Sequence, residues 1–201
     1  MRALGGGRLA LWLLAAATTQ VAGQWSVTLE AGVGRFSGSA ERADSTSSTT
    51  LGPFRPFTYG VRLARDQGGV RLGLRLLYAR CGLAARRGGI ASVYFDDMQL
   101  VELTPELSVR VLRIGAGGSL RLEAGPALHV WVIEDLPART RLAGSAAVAW
   151  DWPLADRFAG TLRAGGTLSA SVWDPDDGLP AGFSRRATRR LGVALGVRYR
   201  L

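Results

Sequence analysis

From residue 24 onward apolar and polar residues alternate with a period of two in block after block, and no helical period persists. The blocks are 25–36, 57–66, 70–80, 99–112, 120–133, 141–152, 157–172 and 190–201. The first sets Trp25, Val27, Leu29, Ala31 and Val33 on one face, and the seventh sets Phe158, Leu162, Ala164, Leu168 and Val172 there. Each block reads as a β-strand with one apolar face. Eight strands result, joined alternately by short and long connections. Residues 67–69 ("QGG"), 115–118 ("GAGG") and 153–156 ("PLAD") are tight turns. Residues 37–56, 81–98, 134–140 and 173–187 are long loops. The first carries a polar Ser/Thr-rich tract, "GSAERADSTSSTT", expected to be mobile.

The residues between the apolar ones are charged, polar or small. Arg62, Arg71, Arg75, Glu102, Glu106, Arg110, Arg121, Glu123 and Arg163 all fall on this second face. A barrel in lipid turns its apolar face outward and its polar face inward. A soluble barrel shows the same alternation with the faces exchanged, so alternation does not choose between them. The aromatic residues do. Threading the strands up and down puts Trp25, Trp150, Trp152, Phe158 and Tyr199 near the short-turn end, and Phe57, Tyr59, Tyr78 and Trp173 near the long-loop end. Two aromatic girdles a bilayer apart are the mark of a membrane barrel. The predicted fold is therefore all-β, an eight-stranded antiparallel up-and-down transmembrane β-barrel. Pro105 and Pro126 fall inside strands four and five, where proline removes a ladder hydrogen bond. A bulge at Gly125, or shifted strand boundaries, would accommodate them.

The first 23 residues read differently. Arg2 and Arg8 precede a short apolar run at 9–17 and a small-residue site at Val21-Ala22-Gly23. This is the pattern of a secretory signal peptide cut before Gln24. The run is much shorter than the ~20 residues of a membrane-spanning helix. The expected organisation is a signal peptide over 1–23 and a barrel domain over 24–201. No Cys follows the site, so no lipoprotein signal is expected. Net charge is +9, and all the basic residues are Arg. A basic chain suggests nucleic acid, but export argues against it. Cys81 is the only cysteine, which excludes an internal disulfide. No cofactor or metal ion is expected.

These features resemble the small eight-stranded outer-membrane barrels of the OmpA transmembrane-domain and OmpX type. The resemblance spans the mature chain and rests on the signal peptide, the strands, the turn pattern and the last strand. It implies a Gram-negative outer-membrane location, with both termini in the periplasm and the long loops outside the cell. It also implies that periplasmic chaperones and the barrel-assembly machinery handle the chain. In that family the last strand ends in an aromatic residue that the machinery reads. Leu195, Val197 and Tyr199 match its alternation, and Leu201 stands where Phe is commoner. No peptidoglycan-binding domain is expected after the barrel, and the protein is expected to be a monomer.

The family is functionally mixed, so candidate chemistry is weighed residue by residue. Some similar barrels modify lipid A or cleave peptides with His, Ser and carboxylates near the outer rim. The single histidine, His129, falls on the lumen face, and pairing about Ala116 places Glu102 opposite it. A carboxylate beside an imidazole could form a general base. Lipid A deacylase-like barrels carry Ser two residues after the His, where this chain has Trp131, so a polar lumen network is the plainer reading of His129. The inward charges could line a pore, but eight strands enclose a space that side chains fill. They are expected to form an ionic plug. Arg86, Arg87, Arg185, Arg186, Arg189 and Arg190 are expected at the outer rim, where they either bind lipopolysaccharide phosphates or balance Asp174, Asp176 and Asp177. The reading is a small outer-membrane barrel with a structural or surface-interaction role. A narrow pore for small solutes is second and a lipid-modifying enzyme third.

Overall fold

The computed structural model describes residues 24–43, 48–87, 90–134, 136–176, 179 and 181–201. The expected signal peptide, residues 1–23, and part of the Ser/Thr-rich tract, residues 44–47, lie outside them. Eight strands run β1 (Gln24–Ala43), β2 (Ser48–Gln67), β3 (Val70–Arg87), β4 (Ile90–Ile114), β5 (Gly118–Ile133), β6 (Leu136–Pro153), β7 (Phe158–Ser169) and β8 (Ser184–Arg200). Each pairs antiparallel with the next, and β8 pairs back onto β1 from Ser26↔Arg200 to Glu41↔Ser184, which closes the barrel. Closure leaves no strand edge to bare its N–H and C=O groups to hydrocarbon, which has no water to satisfy them.

The alternation maps onto the wall as the transmembrane reading requires. Leu29, Leu63, Leu72, Leu74, Leu76, Leu103, Leu107, Leu122, Leu142, Val148, Val193 and Leu195 are exposed on the outside, while Arg62, Arg75, Glu102, Glu106 and Glu123 are buried inside. The apolar band is bounded on the long-loop side by outward Arg35, Arg80, Glu134 and Arg189. At the short-turn end Trp150 packs on Trp152 with ring centroids 5.0 Å apart, and Phe158 on Tyr199 at 5.1 Å. Phe57 and Tyr59 are exposed near the other end, and Tyr59 pairs with Tyr78. The turns at that short end depend on glycine. Gly68 and Gly115 have φ of 66° and 58°, a left-handed conformation that costs a residue with a Cβ roughly 1–2 kcal/mol.

Four expectations are corrected. The strands overrun the membrane: much of the loop predicted over 37–56 is ladder, since β1 runs to Ala43 and β2 resumes at Ser48, and 81–98 is largely β3 and β4. Above the lipid the outer face meets water, so polar residues occupy it and the in-out contrast that marks a strand disappears. Seventh-block residue Val172 and girdle residue Trp173 do not face lipid; both are buried, in the connection after β7. No bulge sits at the prolines either. Leu103↔Leu128 and Leu107↔Ala124 keep one register, so Pro105 stands opposite Pro126. The two missing donors thus fall in a single gap in the ladder, and Gly125 lies against the Pro105 carbonyl with no room for a side chain. The irregularity in this pair lies instead between Arg110 and Leu112.

Candidate functional site

The lumen is the candidate site, and the period of two builds it. Each strand turns every second residue inward, so side chains distant in sequence meet on the barrel axis. In the middle, β1 contributes Glu30, β2 Arg62, β3 Arg75, β4 Glu102 and Glu106, β5 Glu123 and His129, β7 Arg163 and β8 Arg190. All are buried. Arg62 Nη1 lies 2.9 Å from Glu106 Oε1 and 2.6 Å from Glu123 Oε1. Arg163 Nε donates to Glu123 Oε2 at 2.8 Å. Arg75 bridges Glu30 and Glu102, and its Nη1 is 3.1 Å from Glu102 Oε1. Arg190 Nη2 donates to both oxygens of Glu102, at 2.8 and 2.6 Å.

Four guanidiniums thus face four carboxylates. Removing charges from water costs several kcal/mol each unless partners and hydrogen bonds replace the water. The equal count is what allows eight charged groups to share this narrow space.

Towards the short turns the lumen holds a second group. Arg71 donates to Asp66 at 3.0 Å and to Asp151 at 3.2 Å. Arg198 donates to Asp151 at 2.8 Å. Arg121 donates to the Ser108 hydroxyl and carbonyl and to the Gly69 carbonyl, at 2.7, 3.0 and 3.2 Å. Arg110, expected in the ionic network, does not reach it. It is half-buried at this mouth, just before the irregular step in β4.

Towards the long loops the filling changes to apolar side chains. Phe36, Leu77, Ala79, Cys81, Met98, Leu100, Trp131, Ile133 and Val172 form one buried cluster. Phe36 and Trp131 meet with ring centroids 5.4 Å apart. The connection after β7 folds over this layer. Arg141 Nε donates to the Ser171 carbonyl at 2.7 Å, Arg139 donates to the Val172 carbonyl at 3.3 Å, and Ser171 Oγ donates to the Ser39 carbonyl at 2.6 Å. The alternation alone does not set this layer apart, because its inward residues are as apolar as the lipid-facing ones. Its trace in the sequence is two unbroken apolar runs, Leu76-Leu77-Tyr78 and Val130-Trp131-Val132-Ile133, in which inward apolar residues alternate with outward ones.

The register pairs Glu102 with His129, and His129 Nε2 lies 2.9 Å from Glu102 Oε2. Glu102 is already held by two guanidiniums. His129 Nδ1 has no hydrogen-bond partner among the described residues, so no third group orients the ring as a catalytic base requires.

The rim arginines separate. Arg190 is not at the rim; β8 begins six residues earlier than the sequence pattern suggests, and Arg190 takes an inward position deep in the lumen. Arg86 and Arg87 lie on β3 rather than in a loop. Arg86 is half-buried, with its guanidinium 5.2 Å from the Phe54 ring. Arg185, Arg186 and Arg189 are exposed, and Arg186 lies 3.2 Å from Glu41. Asp174 pairs with Arg141 at 2.7 Å. Leu195, Val197 and Leu201 face outward at the closing seam, and Tyr199 packs on Phe158.

No protein-family model matches the sequence, and no curated protein is significantly similar to it. Solved structures are similar in fold. Neisserial surface protein A has a TM-score of 0.59 at 12% identity, over 88% of this chain and 97% of that one. The outer membrane protein OprG of Pseudomonas aeruginosa has a TM-score of 0.57 at 10% identity, over 90% and 96%. At such identity the likeness is one of architecture. The chain thus shares its fold with the small eight-stranded outer-membrane β-barrels of the OmpA and OmpX kind.

Proposed function

We propose that this protein is a closed barrel of the outer membrane with a structural or surface-interaction role. The observation that carries the reading is the continuous filling of the lumen: a charge-balanced layer at mid-height, then an apolar layer under the connection after β7. A hydrated ion crossing it would have to break buried pairs and then pass an apolar plug. In this reading the short turns and both termini are periplasmic and the extended hairpins face outward. The outer face of β8, with Leu195, Val197, Tyr199 and Leu201, serves as the assembly signal, and the barrel works as a monomer.

Outward interaction centres on arginine. Arg35 and Arg189 are exposed immediately above the apolar band on neighbouring strands, where headgroup phosphates of lipopolysaccharide lie; Arg185 and Arg186 extend the patch. The purified protein should show no steady conductance in planar bilayers, and Arg75→Ala should leave it silent. Reproducible unitary steps that widen in Arg75→Ala would replace the plug with a narrow pore. A change in lipid A mass that depends on His129 would favour the lipid-modifying reading instead.

A further inference from the structure

The charge balance of the middle layer fails at the short-turn mouth. A bowl of about 800 Å³ opens there, lined by Arg71, Arg110, Arg113, Arg121, Arg198 and Arg200 together with Asp66. With Asp151 just behind Arg71 and Arg198, six guanidiniums converge on two carboxylates. Among the described residues the bowl's ion pairs use Arg71, Arg121 and Arg198. Arg110, Arg113 and Arg200 have no ion pair among the described residues. Arg198 is buried, and its Nε has no hydrogen-bond partner among the described residues. Among the described residues the protein therefore gathers like charge at this mouth without a matching number of carboxylates, whereas the middle layer of the same lumen is balanced.

We propose that this bowl is a binding site for a compact multivalent oxyanion, a solute bearing two or more phosphate or carboxylate groups. Guanidinium forks match both groups bidentately. The volume suits a small solute. The mouth stays open because the turns are made of glycine. At Gly69 a Cβ would sit 3.3 Å from Arg110 Nη2 and crowd a guanidinium that lines the bowl. Low-dielectric walls concentrate the field of the arginines at the opening and draw anions in. With the lumen above filled, as in the proposed function, the bowl is a dead end; binding at the arginines does not itself depend on that. This inference stands whether or not the lumen conducts, and conductance does not test it.

The test uses the folded barrel in uncharged detergent micelles at low ionic strength, titrated calorimetrically with pyrophosphate and separately with citrate. Saturable binding of one anion per barrel is expected for at least one probe. Pyrophosphate alone would identify a phosphate ligand and citrate alone a carboxylate; binding of both supports the oxyanion class as stated. The combined variant Arg110→Gln, Arg113→Gln, Arg200→Gln removes only guanidiniums without ion pairs, so the fold should survive, as circular dichroism will check. Its affinity should fall at least tenfold. The combined variant Arg185→Gln, Arg186→Gln, Arg189→Gln at the opposite rim should bind within twofold of the native protein. No saturable binding of either probe would overturn the proposal, as would an unchanged affinity in the first variant or an equal loss in both.

Discussion

The two halves of one lumen are filled by opposite chemistries. At mid-height Arg62, Arg75, Arg163 and Arg190 meet Glu30, Glu102, Glu106 and Glu123; nearer the long loops Phe36, Leu77, Met98, Leu100 and Trp131 pack as a core does. Both layers exclude water and both use the same inward positions of the same strands. What differs, from the upper part of the apolar layer onward, is the medium outside the wall. Where lipid surrounds the barrel, the outer face takes the apolar residues. The lumen can then be polar, provided every charge is matched. Above the lipid the outer face must be polar, and the strands are held together by apolar packing inside, as in a soluble barrel. The apolar filling begins at Leu77 and Trp131, whose neighbours Leu76, Tyr78 and Val132 still face outward in the apolar band, and it continues past the outward Arg80 and Glu134.

The largest effect should come from breaking a charge match. Glu102→Ala takes the carboxylate from Arg190 and leaves Arg75 with Glu30 alone, and should destabilise the folded barrel by about 3–5 kcal/mol, the scale for a buried pair that loses one partner. Trp131→Ala empties a packed site and should cost a similar amount by an unrelated route, cavity formation. Urea titration in lipid vesicles measures both. A loss under 1 kcal/mol for Glu102→Ala would mean that water reaches the middle layer and that the two halves do not differ as described.

A somewhat smaller effect tests the wall from its other side. Leu195 faces lipid beside Leu162, while Ala194 faces the lumen beside Arg163. Leu195→Arg should cost about 2–4 kcal/mol, the scale for arginine near the bilayer midplane. Ala194→Gln should cost less, because the inward face already holds polar groups. Equal tolerance at both positions in the same titration would reverse the assignment of faces.

The smallest effect separates the layers by one atom. Cys81→Ser places a hydroxyl in the apolar layer without a partner and should cost about 1–3 kcal/mol. Thr104→Val, which removes a 3.4 Å hydrogen bond to a Glu102 already held by two guanidiniums, should cost under about 1 kcal/mol. The reverse order would show that the apolar layer is wet.

Much of the candidate site is legible in the sequence. Period two puts Arg62, Arg75, Glu106 and Glu123 on the inner face, and the turn near Ala116 sets Glu102 against His129, because antiparallel pairing carries one register along both strands. Arg190 is misplaced at the rim because the start of β8 has no lipid-facing apolar residue to announce it. Trp131 and Val172 escape because an inward apolar residue looks, in sequence, like an outward one beside a slipped register.

The sequence by itself determines the number of strands, their alternating connections, the face that each residue takes within the membrane and therefore the apolar exterior. These are local properties: they follow from the two-residue repeat of a strand and from glycine turns. Only the tertiary structure decides which guanidinium meets which carboxylate, how far the hairpins rise above the lipid, that two prolines share one gap, and that six arginines gather at one mouth. Those features depend on closure and stagger, which bring residues as far apart as Glu102 and Arg190 onto one axis. No local pattern encodes that distance.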